Sequence, residues 1–136
     1  LVAIKSVVGR ERLVLDLSCR FKDGRYFVVT DRWQKFTEYE INRENVAKLE
    51  DYCDEFLVHA ADIEGLKQGI DERLVAILEE CCSIPVTYAD GVKDLSDVKK
   101  IYENGLGRID VTIGSALDIF GGNIKYRELI EMKEFR

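Results

Sequence analysis

The chain has 136 residues, 46% of them hydrophobic, which suits one domain large enough to bury a core. It carries 26 acidic and 20 basic residues, a formal net charge of −6, and this balance argues against a nucleic-acid-binding surface. A small anionic ligand is not excluded, because backbone N–H groups bind phosphate without a basic surface.

The sequence contains neither a secretory signal pattern nor an apolar run long enough to cross a membrane, so we expect a cytoplasmic protein. Its four cysteines are Cys19, Cys53, Cys81 and Cys82, and it has a single histidine. The adjacent Cys81 and Cys82 lack the spacing of zinc ligands, so we expect reduced cysteines, some packed as small hydrophobic side chains. Because the chain begins with Leu1 and not Met, we expect a fragment or a processed piece.

The first elements in chain order are two strands and a helix. An apolar run predicts a strand over residues 12–17. The Asp23-Gly24 pair then predicts a hairpin leading to a short strand at residues 26–29. Asn42 has the position of an N-cap, and apolar residues at helical spacing follow it.

Three further strand–helix units follow, and their order indicates the fold class. Strands are predicted at residues 55–60, 84–89 and 108–113, a short helical turn at 117–119, and helices from Asp71, from about Ser96 to Glu103, and from about Tyr126 to Lys133. This alternation implies parallel strands joined by right-handed crossovers. Two architectures fit: an open doubly wound sheet, and half of a closed (β/α)8 barrel, which usually needs about 250 residues.

The glycine-rich end of the last predicted strand is the strongest indication of a binding site. In Gly114-Ser115-Ala116, glycine lets the backbone approach an oxyanion, the following helix start supplies N–H donors, and Ser115 adds a hydroxyl. An ordinary tight turn explains these residues equally well. Asp90-Gly91, after the preceding strand, would form the second wall of the site, with a plain turn as its alternative.

Three other residues are candidates for chemistry. Asp16 interrupts an apolar strand near its carboxyl end, where barrel enzymes place their reactive groups, and a buried carboxylate must be paired or functional. It is a general acid or a structural residue paired with Arg20 or a backbone N–H, and the residues alone favour the structural role. His59, the only histidine, is more typical of a hydrogen-bonded core residue. Trp33 either closes over a ligand or packs its loop onto the rim.

Four segments, taken together, carry a resemblance to a known family. They are LVLDLSCR at residues 13–20, TDRWQ at 30–34, FLVHAADIEG at 56–65 and GSALDIFGG at 114–122. In this order they resemble the phosphoribosylformimino-aminoimidazole carboxamide ribotide isomerases of histidine biosynthesis, in the branch found in fungi and plants. The resemblance covers essentially the whole chain.

The resemblance implies both a fold and an activity. The fold is α/β, the C-terminal half of a TIM (β/α)8 barrel, with parallel strands five to eight and outer helices in a single unit over residues 1–136, and with the N-terminal half absent. The activity is an Amadori rearrangement that opens an aminoaldose ribotide ring and forms the aminoketose, without a metal or organic cofactor. Alone, the fragment is expected to be inactive.

The resemblance also implies roles for individual residues. Asp16 matches the acid on the fifth strand, while the base lies on the absent first strand. The substrate carries two phosphates, and the matching site for one of them is formed by Gly91, Gly114 and Ser115. Further possible substrate contacts are Arg20, Trp33, His59 and Asp62.

Two departures from the family pattern bear on the site. The family usually has two glycines where this chain has Asp90-Gly91, and a carboxylate beside a phosphate site is repulsive unless it points away. Bacterial members place Thr at the position of Ala60, so a hydrogen bond there is absent or supplied elsewhere.

Two alternative functions stay open. One is a non-catalytic half-barrel that binds phosphate or acts in assembly, because open strand edges and an apolar inner surface favour self-association. The other is the sister cyclase of the same pathway, although the segments at residues 16–20 and 117–122 resemble the isomerase more closely. The expected partners are the bis-phosphate ribotide and either the missing half-barrel or a second copy, with no nucleic acid and no membrane.

Overall fold

A computed structural model describes residues 1–32, 34–63 and 68–132. Its six strands form one mixed sheet with the order β3-β2-β1-β4-β5-β6. The strands are β1 (Val14–Lys22), β2 (Arg25–Thr30), β3 (Lys35–Glu40), β4 (Glu55–Ala60), β5 (Val86–Ala89) and β6 (Ile109–Thr112). The helices are α1 (Val2–Val8), α2 (Arg43–Glu50), α3 (Glu72–Cys81), α4 (Leu95–Asn104) and α5 (Tyr126–Ile130), with 3₁₀ turns at Arg10–Arg12 and Asp118–Phe120.

The four strands β1, β4, β5 and β6 are parallel and neighbour one another in chain order, as predicted. Side chains alternate between the two faces of these strands. One face carries Phe56, Val58, Val86 and Tyr88, which pack with apolar residues of α2, α3 and α4 in the main core. The opposite face of β1 and β4 carries Asp16, Ser18, Glu55, Leu57 and His59, all of them only partly buried or exposed.

The antiparallel hairpin is an extension of β1 beyond its pairing with β4. The predicted turn is confirmed: Lys22 pairs with Arg25, and Asp23 and Gly24 both have positive φ, as two-residue hairpin turns require. However, β1 runs to Lys22, five residues further than predicted, and β3 was not predicted at all. Its alternating residues are interrupted by glutamates, which weakened the strand pattern.

The hairpin is fastened to α3. The Tyr26 hydroxyl lies 2.7 Å from both carboxylate oxygens of Asp71, and the Arg73 guanidinium lies over the Phe21 ring at 4.9 Å. Burial first, and then the hydrogen bond to Asp71, raise the pKa of Tyr26 well above its ordinary value. The neutral Tyr26 hydroxyl is therefore a permanent donor to Asp71.

The helix starts follow the capping rules. Asn42 and Asp71 accept hydrogen bonds from the backbone N–H of the third residue on, so both predicted N-caps are confirmed. The fourth helix begins one residue before the predicted Ser96, because Asp94 is its cap. The first helix, α1, has no buried residue and was not predicted.

The four cysteines are free thiols, and Cys19 and Cys53 are buried. Burial raises the pKa of the Cys19 and Cys82 thiols to about 12, so both stay protonated at neutral pH. Within the described ranges, no set of three His, Cys, Asp or Glu residues is grouped closely enough to hold a metal ion. None of the helices in those ranges combines the length and the apolar character needed to cross a membrane.

Candidate functional site

An open pocket of about 260 Å³ lies at the carboxyl ends of β4, β5 and β6. It is lined by His59 at the end of β4, residues 89–92 after β5, and residues 112–116 after β6. Parallel strands bring their carboxyl ends to one edge of the sheet, which is where ligands bind in α/β folds. The pocket thus contains the two glycine-bearing turns that the sequence placed in one site.

The single histidine lies between two carboxylates. Its Nδ1 is 2.9 Å from Oδ2 of Asp90, and its Nε2 is 3.5 Å from Oδ1 of Asp16. Register explains the arrangement, because Asp16 pairs with Leu57 and Ser18 with His59, which puts both functional side chains on the open face of the sheet. His59 and Asp90 are mostly shielded from solvent, whereas the side chain of Asp16 is 62% exposed.

The backbone of the β5 turn is bent by two consecutive residues with positive φ, +86° at Asp90 and +78° at Gly91. The side chain of Asp90, which the sequence analysis placed beside an anion site, forms a hydrogen bond with the imidazole of His59. A Cβ at Gly91 would collide with the carbonyl oxygen of Gly69. Glycine is therefore required at position 91 both by conformation and by packing.

The β6 turn is more open. A Cβ at Gly114 would meet no atom within 4 Å, so nothing in the described part of the chain requires glycine there for packing. The expectation that the following helix start supplies free N–H donors was wrong for Leu117 and Asp118. The N–H groups of Leu117 and Asp118 already bond the carbonyls of Gly114 and Ile124, because the segment folds back on itself. The turn at Gly114 and Ser115 and the turn at Gly91 are the other backbone segments that line this pocket.

Arg20 and Asp62 lie at the same end of the sheet and contact each other. Nε of Arg20 is 2.6 Å from Oδ1 of Asp62, whose Oδ2 accepts from the N–H of Phe21 at 2.8 Å. The pair links the loop after β4 to the extended part of β1. About a third of each side chain is exposed, so both are accessible from the rim. Trp33 lies outside the described residues.

Sequence reasoning missed the role of Asp90 as a partner of His59. It treated Asp90 as part of the wall of the anion site and as a departure from a glycine pair, and His59 as a core residue or a possible substrate contact. A usable signal was present, because His59 ends one strand and Asp90 directly follows its neighbour. Residues so placed on adjacent parallel strands meet at the same edge.

Comparison with known proteins decides the family. The model of the family described as histidine biosynthesis protein matches residues 2–125. The chain belongs to this family. Three relatives are each named as a phosphoribosyl imidazole-4-carboxamide isomerase. The Medicago truncatula protein, whose name adds "chloroplastic", is 54% identical over 124 residues, 91% of this chain and 40% of that protein. The Yarrowia lipolytica protein is 48% identical over 131 residues, which cover 93% of this chain and 50% of that protein. The Saccharomyces cerevisiae protein is 42% identical over 137 residues, which cover 96% of this chain and 52% of that protein.

This member of the histidine biosynthesis family spans about half the length of these relatives, or less. The relatives' names also disfavour the sister cyclase as the function of this chain.

Proposed function

We propose that this chain supplies the acid and one phosphate site of an isomerase that converts an aminoaldose ribotide into the aminoketose by an Amadori rearrangement. One observation carries the proposal. The Asp16 carboxylate and the glycine-lined pocket are at the same edge of the sheet, bridged by the ring of His59. A phosphate held by the pocket would keep the sugar near the carboxylate.

The reaction needs two proton transfers on opposite sides of the sugar. Ring opening requires a proton on the ring oxygen, and the Asp16 carboxyl, on the open face, is the group to deliver it. Removing the proton at the adjacent carbon requires a base on the other side, and two carboxylates in different environments divide such roles. In this proposal no cofactor is used, because both steps are proton transfers between carboxyl groups and substrate.

The base would come from a preceding half-barrel. The parallel strands β1, β4, β5 and β6 would be strands five to eight of a TIM barrel, with residues 1–136 as one half-barrel unit. Two observations support this: the relatives are about twice as long, and the sheet face that carries Asp16 and His59 is only partly covered. The partner of the chain would be that N-terminal half.

The phosphate would be held by Gly91, Gly114 and Ser115, through backbone N–H groups and the Ser115 hydroxyl. The open space at Gly114 favours close approach of an anion. Further contacts with the substrate would come from Arg20, Asp62 and His59. On the sequence alone, we also propose a contact from Trp33. We place the complete enzyme in the cytoplasm, although the name of the Medicago truncatula relative shows that another compartment is used in that plant.

Turnover in the assembled enzyme tests the proposal. The chain is combined with the N-terminal half of a fungal relative, and conversion of the aminoaldose ribotide is followed. We expect Asp16→Asn to lower kcat by about 10²- to 10⁴-fold, the usual contribution of a general acid. Asp54→Asn is the matched control, because Asp54 is exposed and its contact with Arg10 is 3.8 Å long. Unimpaired turnover in Asp16→Asn would exclude the acid role.

An assembly module without catalysis is the second candidate, and one observation favours it. Ile4 and Val7 of α1 are both more than half exposed and lie three residues apart, which puts two uncovered apolar side chains on one face of the helix. Light scattering across a dilution series of the chain distinguishes the two candidates when read beside turnover. Self-association without turnover in the assembled protein supports the module, while a dilute monomer that turns over once combined supports the isomerase.

A further inference from the structure

His59 contacts two carboxylates from two different elements, one at each ring nitrogen. Asp16 faces Nε2 from β1 at 3.5 Å, and Asp90 faces Nδ1 from the turn after β5 at 2.9 Å. The second contact is the shorter one, and Asp90, with 18% of its side chain exposed, is the more enclosed carboxylate. The contact to Asp90 therefore sets the orientation of the ring, and the contact to Asp16 follows from it.

The backbone at Asp90 supports a dedicated role for this side chain. An L-residue at φ +86° is strained, at a cost on the order of 1 kcal/mol or more, whereas glycine adopts this conformation freely. The neighbouring Gly91 also has positive φ, so the turn itself needs no carboxylate. What the Asp90 side chain adds is its hydrogen bond with His59.

That hydrogen bond determines the position of the ring proton. An ionised carboxylate only accepts, so Asp90 requires a proton on Nδ1 of His59. In the neutral ring, Nε2 is then an unprotonated acceptor that faces Asp16. In the imidazolium, the same Nε2 carries a proton, and Oδ1 of Asp16 is within ion-pair distance of this nitrogen. An outer partner that fixes a histidine tautomer in this way controls what the other nitrogen does.

We propose that Asp90 is a positioning residue which, by holding the Nδ1–H of His59, makes the ring the proton reservoir for Asp16. This inference rests on the proposed function. When the Asp16 carboxyl has given its proton to the sugar ring oxygen, the carboxylate takes the proton from Nε2 of the imidazolium. The ring becomes the neutral Nδ1–H form, still bonded to Asp90, and solvent returns one proton to Nε2. Each transfer moves one proton, and no other reactant is needed.

Nitrogen NMR of the chain tests the positioning directly, because His59 is its only histidine. In the neutral ring, we expect the Nδ1–H tautomer. Asp90→Asn replaces an acceptor by an amide that can donate, so the tautomer should change to Nε2–H. The control is Asp23→Asn, the same substitution at another aspartate of positive φ, in the exposed hairpin turn. An Nε2–H ring in the unmodified chain, or the same tautomer in Asp90→Asn, would overturn the proposal.

One further variant and a kinetic measurement extend the test. Asp90→Gly relieves the strained backbone and should fold at least as stably, yet it also removes the acceptor and should lose the Nδ1–H preference. In the assembled isomerase, Asp90→Asn should lower kcat by about 10- to 100-fold and change KM by less than about 2-fold. A raised KM with unchanged kcat would place Asp90 in phosphate binding and defeat the proposal.

The two proposals fail in different ways. An assembled enzyme without isomerase turnover rejects the proposed function, while the tautomer of His59 in the isolated chain still decides whether Asp90 positions the ring. If turnover falls in Asp16→Asn but not in Asp90→Asn, the result supports Asp16 as the general acid and rejects His59 as its proton reservoir.

Discussion

The two faces of β4 are built from alternating residues of one six-residue strand, yet they differ sharply in burial. Phe56, Val58 and Ala60 face the helices and are at most 2% exposed. Glu55, Leu57 and His59 point to the open face and are only partly covered. The core and the candidate site thus lie on opposite faces of β4. A substitution on the core face is expected to change stability, and one on the open face is expected to leave stability nearly intact.

The largest expected effect is a difference in stability between substitutions of two adjacent residues on opposite faces of β4. Phe56→Ala should lower the free energy of unfolding by about 3 to 5 kcal/mol, because it leaves a cavity in the core. Leu57→Ala, on the open face, should cost only about 1 kcal/mol in the isolated chain. Denaturant titration of both variants measures the difference, and equal losses would show that the open face is covered in solution.

The two glycines of the pocket give the next contrast. Gly91→Ala should destabilise the chain by about 2 to 4 kcal/mol, because φ is +78° and the new Cβ would meet the Gly69 carbonyl. At Gly114 an added Cβ would point into open space, so Gly114→Ala should have the same unfolding temperature as the unmodified chain. The variant should nevertheless bind inorganic phosphate more weakly. Thermal unfolding and phosphate titration separate the two, and a strongly destabilised Gly114→Ala would contradict the open turn.

A smaller effect is expected where the hairpin meets α3. Tyr26→Phe should lower the free energy of unfolding by about 2 kcal/mol, because it leaves the Asp71 carboxylate without its buried donor. Tyr102→Phe is the control, since nearly half of Tyr102 is exposed. Urea unfolding of both variants is the measurement, and an unchanged Tyr26→Phe would mean that the hairpin is not held by this bond.

The smallest effect is expected at the solvent-exposed cap of α4. Asp94→Ala should cost about 1 kcal/mol at neutral pH. The hydrogen bond from Ser96 lowers the pKa of Asp94, so its ionised form contributes stability above the ordinary value of about 4. That contribution is lost as the pH falls through the folded-state pKa, and the gap between Asp94→Ala and the unmodified chain should close there. Asp94→Asn keeps a cap without this titration and is the control.

How much of this was predictable depends on how local the determining contacts are. The Asp23-Gly24 turn and the caps at Asn42 and Asp71 were predicted because each is decided within four residues. The strand β3 and the extension of β1 were missed because they depend on pairing across the hairpin. The contacts of His59 required the relative register of three strands, which sequence periodicity does not contain. The strained conformation of Asp90 likewise depends on a partner 31 residues away.

The nine-residue strand β1 has a mechanical consequence. The half that pairs with β4 carries Asp16, and the half that pairs with β2 forms the hairpin held to Asp71 through Tyr26. An extended strand of this length spans about 30 Å and resists compression along its axis. The hairpin and Asp16 are therefore parts of one continuous strand, so we expect a displacement of the turn at Asp23 to be coupled to a displacement of Asp16.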